Sequence, residues 1–164
     1  RARRAGRMSL PRAPRLGVDV GAVRVGLAAS DPDGLVATPV ATLAPEDVGA
    51  VVAEVRERGA GVVYVGLPRH LSGAEGPATQ AARRYAVVLA QQVAPVEVRL
   101  VDERMSTVVA TAALRAAGRP GRRQRAVVDQ AAAVVILQGA LDAEPTAGGR
   151  VGERVAQDET NAEA

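Results

Sequence analysis

Three acidic signals stand where a folded chain normally places apolar residues. They are Asp19 in Leu16-Gly-Val-Asp-Val-Gly21, the pair Asp102-Glu103 after a valine-rich run, and Asp129 inside an apolar helical pattern. A buried charge is costly unless it is paired or bound to a cation. Carboxylates drawn together repel one another, and a hard divalent ion, which takes oxygen ligands, is the simplest remedy. Three such groups from two strands and one helix could hold one or two Mg²⁺ or Mn²⁺ ions. Ions of this kind activate a water and stabilise the leaving oxygen of an in-line phosphodiester displacement. Nothing resembles a zinc site, because cysteine is absent and His70 is the one histidine. Each acid also has a structural reading: Asp19 as a cap on the Gly21 turn, Asp102 and Glu103 as an N-cap or an ion pair with Arg104, Asp129 as a surface acid on a frayed first turn.

The elements that must position these groups follow from the local pattern. Arg15–Val20 reads as a buried strand, 24–30 as a second and 35–43 as a third, with the turn Asp31-Pro-Asp-Gly34 between the last two. Pro45 suits a helix start, Val48, Val51, Val52 and Val55 recur at helical spacing, and Gly59 stops that helix. Residues 61–66 are an apolar run of the kind found in central parallel strands. A helix over 77–93 and a strand over 96–101 follow. Ser106 suits the N-cap of a helix to Ala117, Gly118–Arg123 reads as a basic loop, and a last helix spans 125–142. The order βββ-α-β-α-β-α-α implies an α/β fold with a mixed five-stranded sheet and helices on both faces. Asp19 then lies near the end of a central strand, Asp102 and Glu103 at a strand's carboxyl end, where open α/β sheets bind ligands. Asp129 shares a helical stripe with Ala126, Ala132, Ala133, Ile136 and Leu137, the stripe expected to face the sheet.

Composition bounds the rest. At 164 residues the chain fits one domain. Aromatics are 1% of it, with neither Phe nor Trp, so Val, Leu, Ala and Ile must build the core, and no base-stacking platform is available. All 21 basic residues are arginine. Residues 1–15 carry six of them and no acid, which makes a basic tail (1–14) suited to polyanions or simply to solvent. Residues 15–142 are expected to form the domain and 143–164 a disordered acidic tail. Met8 is a candidate start. No apolar run approaches the ~20 residues of a membrane span, and the absence of cysteine fits a reducing cytoplasm.

Four stretches carry a family resemblance. Leu16-Gly-Val-Asp-Val-Gly-Ala-Val-Arg-Val-Gly-Leu-Ala-Ala-Ser-Asp31, Val65-Gly-Leu-Pro68 with Ser72-Gly-Ala-Glu-Gly76, Asp102-Glu-Arg-Met-Ser-Thr107, and Val128-Asp-Gln-Ala-Ala-Ala-Val-Val-Ile-Leu-Gln138 resemble, in order and spacing, the motifs of the YqgF/RuvX family. Met105 and Ser106 stand where Leu and Thr are commoner, and Arg122-Arg-Gln-Arg125 where the family often has Lys. The resemblance implies an RNase H-like fold and a Mg²⁺-dependent nuclease with Asp19, Glu103 and Asp129 as its acidic triad. It favours Glu103 over Asp102 as the ligand, with Asp102 turned toward the next helix or Arg104. It further implies maturation of the 5′ end of pre-16S rRNA, or resolution of Holliday junctions.

Several cations suit a nucleic-acid backbone beside that triad: Arg24 on the first hairpin, Arg104 next to the acidic pair, and Arg119, Arg122, Arg123 and Arg125 ahead of Asp129. Each is also compatible with an ion pair or a solvated loop. His70 could serve as a base. The leading expectation is a metal-dependent endonuclease on structured RNA, as a monomer or homodimer. A junction resolvase would act as a dimer, and a non-catalytic nucleic-acid-binding factor in transcription or ribosome assembly would bind without cutting. The Asp19-Val-Gly21 turn also resembles the phosphate loop of actin-like and sugar-kinase ATPases, which need two such lobes.

Overall fold

The computed structural model describes residues 10–69, 72–103 and 122–157, with the backbone alone for 122–127 and 129. Three strands open the chain: β1 (Arg15–Val20), β2 (Val25–Ser30) and β3 (Ala37–Leu43). They form the expected antiparallel meander, in which Asp19 pairs with Gly26 and Gly26 with Thr42. β3 begins two residues later than the pattern suggests. The Asp31 carboxylate accepts the N–H groups of Asp33, Leu35 and Val36 at 3.1, 2.9 and 2.8 Å, so the turn holds Leu35 and Val36 in place of the ladder. Those donors keep Asp31 below its ordinary carboxylate pKa.

Helix α1 (Val48–Arg58) starts after Pro45, because the Asp47 side chain caps it by accepting from the Ala50 N–H at 3.1 Å. β4 (Val62–Leu67) runs parallel to β1 in the sheet centre and is buried throughout. Helix α2 (Pro77–Val93) occupies the expected span. The Thr79 hydroxyl at its N-terminus donates to the Pro68 carbonyl and accepts from the Gly76 N–H at 3.3 Å, pinning both ends of the 68–76 loop. β5 (Glu97–Asp102) pairs parallel with β4, Leu67 opposite Asp102.

The chain then differs from its sequence pattern in two ways. Helix α3 spans Arg122–Ala147, so Arg122 and Arg123 belong to its first turn and it continues past residue 142, with Pro145 inside. A sixth strand, β6 (Glu153–Arg154), pairs antiparallel with β5, making the sheet order β3-β2-β1-β4-β5-β6. The expected disordered tail from 143 is therefore corrected for residues 143–157. Val155 is buried and bonds to the Val98 carbonyl, and the Gln157 amide donates to the carbonyls of Ala90 and Val96. The expected helix over 106–117 lies outside the described residues.

The sheet separates two cores. Leu16, Val18, Val63, Val65, Val98 and Leu100 face α1 and α2. Val62, Tyr64 and Val101 face Ala133, Ile136 and Leu137 of α3. Side chains alternate along a strand, so Gly17, Asp19 and Gly66 belong to the α3 face. Among the described residues, no helix is long and apolar enough to cross a membrane.

Candidate active site

Helix α3 lies against β1 so closely that a Cβ on Gly17 would sit 2.6 Å from the Leu137 Cβ and 2.9 Å from the Ala133 carbonyl oxygen. At the other end of that face, the Glu144 carboxylate meets Arg15 at the start of β1. The helix thus runs antiparallel to β1, and its earlier turns lie toward the end of the strand that carries Asp19. Gln130 fixes that level by donating to the Thr42 hydroxyl at 3.1 Å. Thr42, Gly26 and Asp19 form one row across three strands. The α3 backbone at Asp129, one residue before Gln130 and one turn before Ala133, therefore crosses the sheet at the row of Asp19.

The same row continues into the parallel strands. Val18 pairs with Val65 and Gly66 with Val101, so Asp19, Gly66 and Val101 succeed one another on the α3 face. Glu103, two residues beyond Val101, has the same facing and reaches back over β4. A Cβ on Gly66 would lie 3.0 Å from the Glu103 Oε1 and 2.5 Å from Ile136 Cδ1. Glycine at 66 is what leaves room for the carboxylate. A cleft of about 100 Å³, walled by Val101, Ile136, Ala140 and Gly152 among others, flanks it. Burial in this apolar surrounding, then the negative charges of Asp19 and Asp102, push the Glu103 carboxyl from its ordinary 4.5 up to about 7.

Asp102 alternates with Glu103 and lies on the strand face of Val98 and Leu100. Its Oδ2 is 4.0 Å from Arg69 Nε. The adjacent acids thus diverge, with Glu103 toward Asp19 and Asp102 toward the 68–76 loop. Arg69, which the sequence did not single out, closes that loop side.

The structure brings Asp19 and Glu103 together and sets the Asp129 backbone at their level. Among the described side chains, no three carboxylates by themselves make a complete metal site. Arg24 lies in the β1–β2 turn at the same sheet end, where the Gly21 N–H donates to the Arg24 carbonyl at 2.9 Å. The first turn of α3, with Arg122, Arg123 and Arg125, also points to this end. His70, Arg104 and Arg119 lie outside the described residues.

A six-stranded mixed sheet with helices on both faces and acids gathered at the carboxyl ends of its parallel strands defines an RNase H-like protein. RuvC of T. thermophilus, solved in complex with a Holliday junction substrate, has this fold, with a TM-score of 0.56 over 87% of this chain and 99% of its own at 15% identity. The chain belongs to the RuvX family, whose model, described as "Holliday junction resolvase", matches residues 13–143. A Nocardioides protein named "Putative pre-16S rRNA nuclease" is 54% identical over 148 residues, 86% of this chain and 95% of its own. A Streptomyces coelicolor protein of the same name is 51% identical over 148 residues, covering 88% and 89%.

Proposed function

We propose that this chain is a cytoplasmic endonuclease that hydrolyses phosphodiester bonds during 5′-end maturation of the 16S rRNA precursor, with Mg²⁺ or Mn²⁺ bound by Asp19, Glu103 and Asp129. The observation that carries the reading is the Glu103 carboxyl beside Asp19, raised to about 7 by burial and by neighbouring negative charge. A site that forces two carboxylates together fits a hard divalent cation, whose oxygen-ligand preference this donor set meets. When bound, such an ion supplies activation of water and stabilisation of the leaving oxygen. The protein's own groups do the rest. Asp19 and Glu103 would hold the ion, and the apolar wall of Val101 and Ile136 limits water around Glu103. Arg24, Arg104, Arg119, Arg122, Arg123 and Arg125 attract backbone phosphates whatever the base sequence. Asp102, facing the other way, is left out of the ligand set. The relatives' names support RNA as the substrate.

A second reading, resolution of branched DNA by a homodimer, draws on the RuvC likeness and the family's description. The two separate in one experiment, which offers precursor rRNA and a four-way junction in parallel with Mn²⁺ or Mg²⁺. Preferential cutting of the precursor, with a loss of roughly a hundredfold or more in Asp19→Asn, is the expected result. Cleavage of the junction alone would favour the resolvase, and an Asp19→Asn protein as active as the parent would remove the triad.

A further inference from the structure

Arg69 lies two residues beyond β4, next to Pro68, whose carbonyl is tied to the Thr79 hydroxyl at the head of α2. Its backbone is therefore anchored beside the carboxyl edge of the sheet. The guanidinium stands between two carboxylates, with Nη2 3.5 Å from Glu75 Oε1 and Nε 4.0 Å from Asp102 Oδ2. Neither distance makes a strong hydrogen bond. The Glu75 Oε1 is committed elsewhere, accepting from Arg83 Nη2 at 2.6 Å and Nε at 3.2 Å. Arg69 Nε is buried and has no hydrogen-bond partner among the described residues. A buried N–H without an acceptor is unusual. The side chain as a whole is 28% exposed, so what a phosphate can reach is the outer part of its planar donor fork, not Nε.

We infer that Arg69 is a substrate-binding residue, whose guanidinium takes a backbone phosphate of the nucleic-acid strand next to the one being cut. This rests on the reading of the acid edge as a nuclease site. The acids gather negative charge at Asp19, Asp102 and Glu103, and a polyanion approaching that edge needs fixed positive charge beside it. Arg69 supplies it from the 68–76 loop, on the β5 side of the site. The Arg122–Arg125 turn lies across the sheet on α3.

The test measures binding apart from cutting. A fluorescein-labelled RNA hairpin with a single-stranded 5′ extension is titrated by anisotropy in Ca²⁺ at several salt concentrations, using the parent, Arg69→Gln, Arg69→Lys and Asp102→Asn. Arg69→Gln should weaken binding roughly tenfold. Its slope of log affinity against log salt should fall by about 0.7, the value of one lost single-strand phosphate contact. Arg69→Lys keeps the charge and should restore the slope while recovering part of the affinity. Asp102→Asn should keep the parental slope. An unchanged slope in Arg69→Gln overturns the inference. So does an equal loss of slope in Asp102→Asn, which would mean that Arg69 acts only by holding that acid. If the parent binds with an Arg69-dependent slope yet cuts nothing with Mg²⁺ or Mn²⁺, the nuclease reading fails and the phosphate contact stands. A parent that binds no RNA overturns both.

Discussion

At the scale of single residues, Glu103 carries the most information. Its carboxyl titrates near 4.5 in an unfolded chain and is pushed up to about 7 in the fold, by burial first and then by Asp19 and Asp102. Between those values the folded protein keeps a proton that the unfolded chain releases. The protonated carboxyl's contribution to stability is thus complete below about 4.5, declines as pH rises and is gone above about 7. Thermal melts in chelator should show the midpoint falling from pH 5 to pH 7.5. Glu103→Gln should flatten that fall, and Mg²⁺ should reverse much of it at pH 7.5, since a bound cation replaces the proton. A fall of the same size in Glu103→Gln would place its origin elsewhere. The local residue pattern flags this residue only as half of a pair, and it is the family resemblance that favours Glu103. A charge on an apolar run is visible in one dimension, whereas the choice between Asp102 and Glu103 depends on which face of β5 lies under α3. Arg69 carried no such signal, being one arginine among many until its loop was seen folded against Asp102.

At the scale of elements, the site depends on how closely α3 approaches the sheet. Gly66 is the point of close contact nearest the acids, since an added Cβ would meet Ile136 Cδ1 at 2.5 Å and the Glu103 Oε1 at 3.0 Å. Gly66→Ala should destabilise by about 1–3 kcal/mol, as overpacked cores do. It should lower cleavage further than the unfolded fraction explains, because the Glu103 carboxylate must move. Urea unfolding and cleavage rates on the same preparation measure both. Parental cleavage from a folded Gly66→Ala protein would show that Glu103 need not lie over β4. Most of these elements were legible: α2 from its periodicity, and the strands to within one or two residues from their apolar runs. Two were not. Glu153-Arg154 has no apolar alternation, and β6 exists because β5 offers it an edge. The end of α3 was hidden because the polar, glycine-rich residues from 143 on read as a disordered acidic tail, while in the fold Glu144 is needed inside.

At the scale of the whole molecule, that buried glutamate separates stability from chemistry. Glu144 Oε1 accepts from Arg15 Nε at 3.1 Å, and its Oε2 accepts from the Tyr64 hydroxyl at 2.8 Å and from Arg150 at 3.0 Å. The Arg15 and Glu144 side chains are 6% and 4% exposed. Burial, with the Glu144 charge next, raises the Tyr64 pKa, so the phenol stays protonated and donates. The network joins β1, β4, α3 and the segment leading to β6 at the end of the sheet away from Glu103. Asp19 lies four residues up β1 from Arg15, roughly 13 Å along the strand. Removing one member of a buried ion pair strands the other, at about 3–5 kcal/mol. Glu144→Ala should therefore lower the unfolding free energy measured in urea by that much. Tyr64→Phe, which deletes a hydrogen bond and leaves the pair, should cost about 1–2 kcal/mol. Cleavage per folded molecule should hold in both, because neither change touches the acid edge. A chain cut after residue 142 loses Glu144, Arg150 and Val155 together and should unfold at least as readily as Glu144→Ala. Equal stability of the cut chain and the parent would mean that the domain closes without this network, contrary to the burial of its charges.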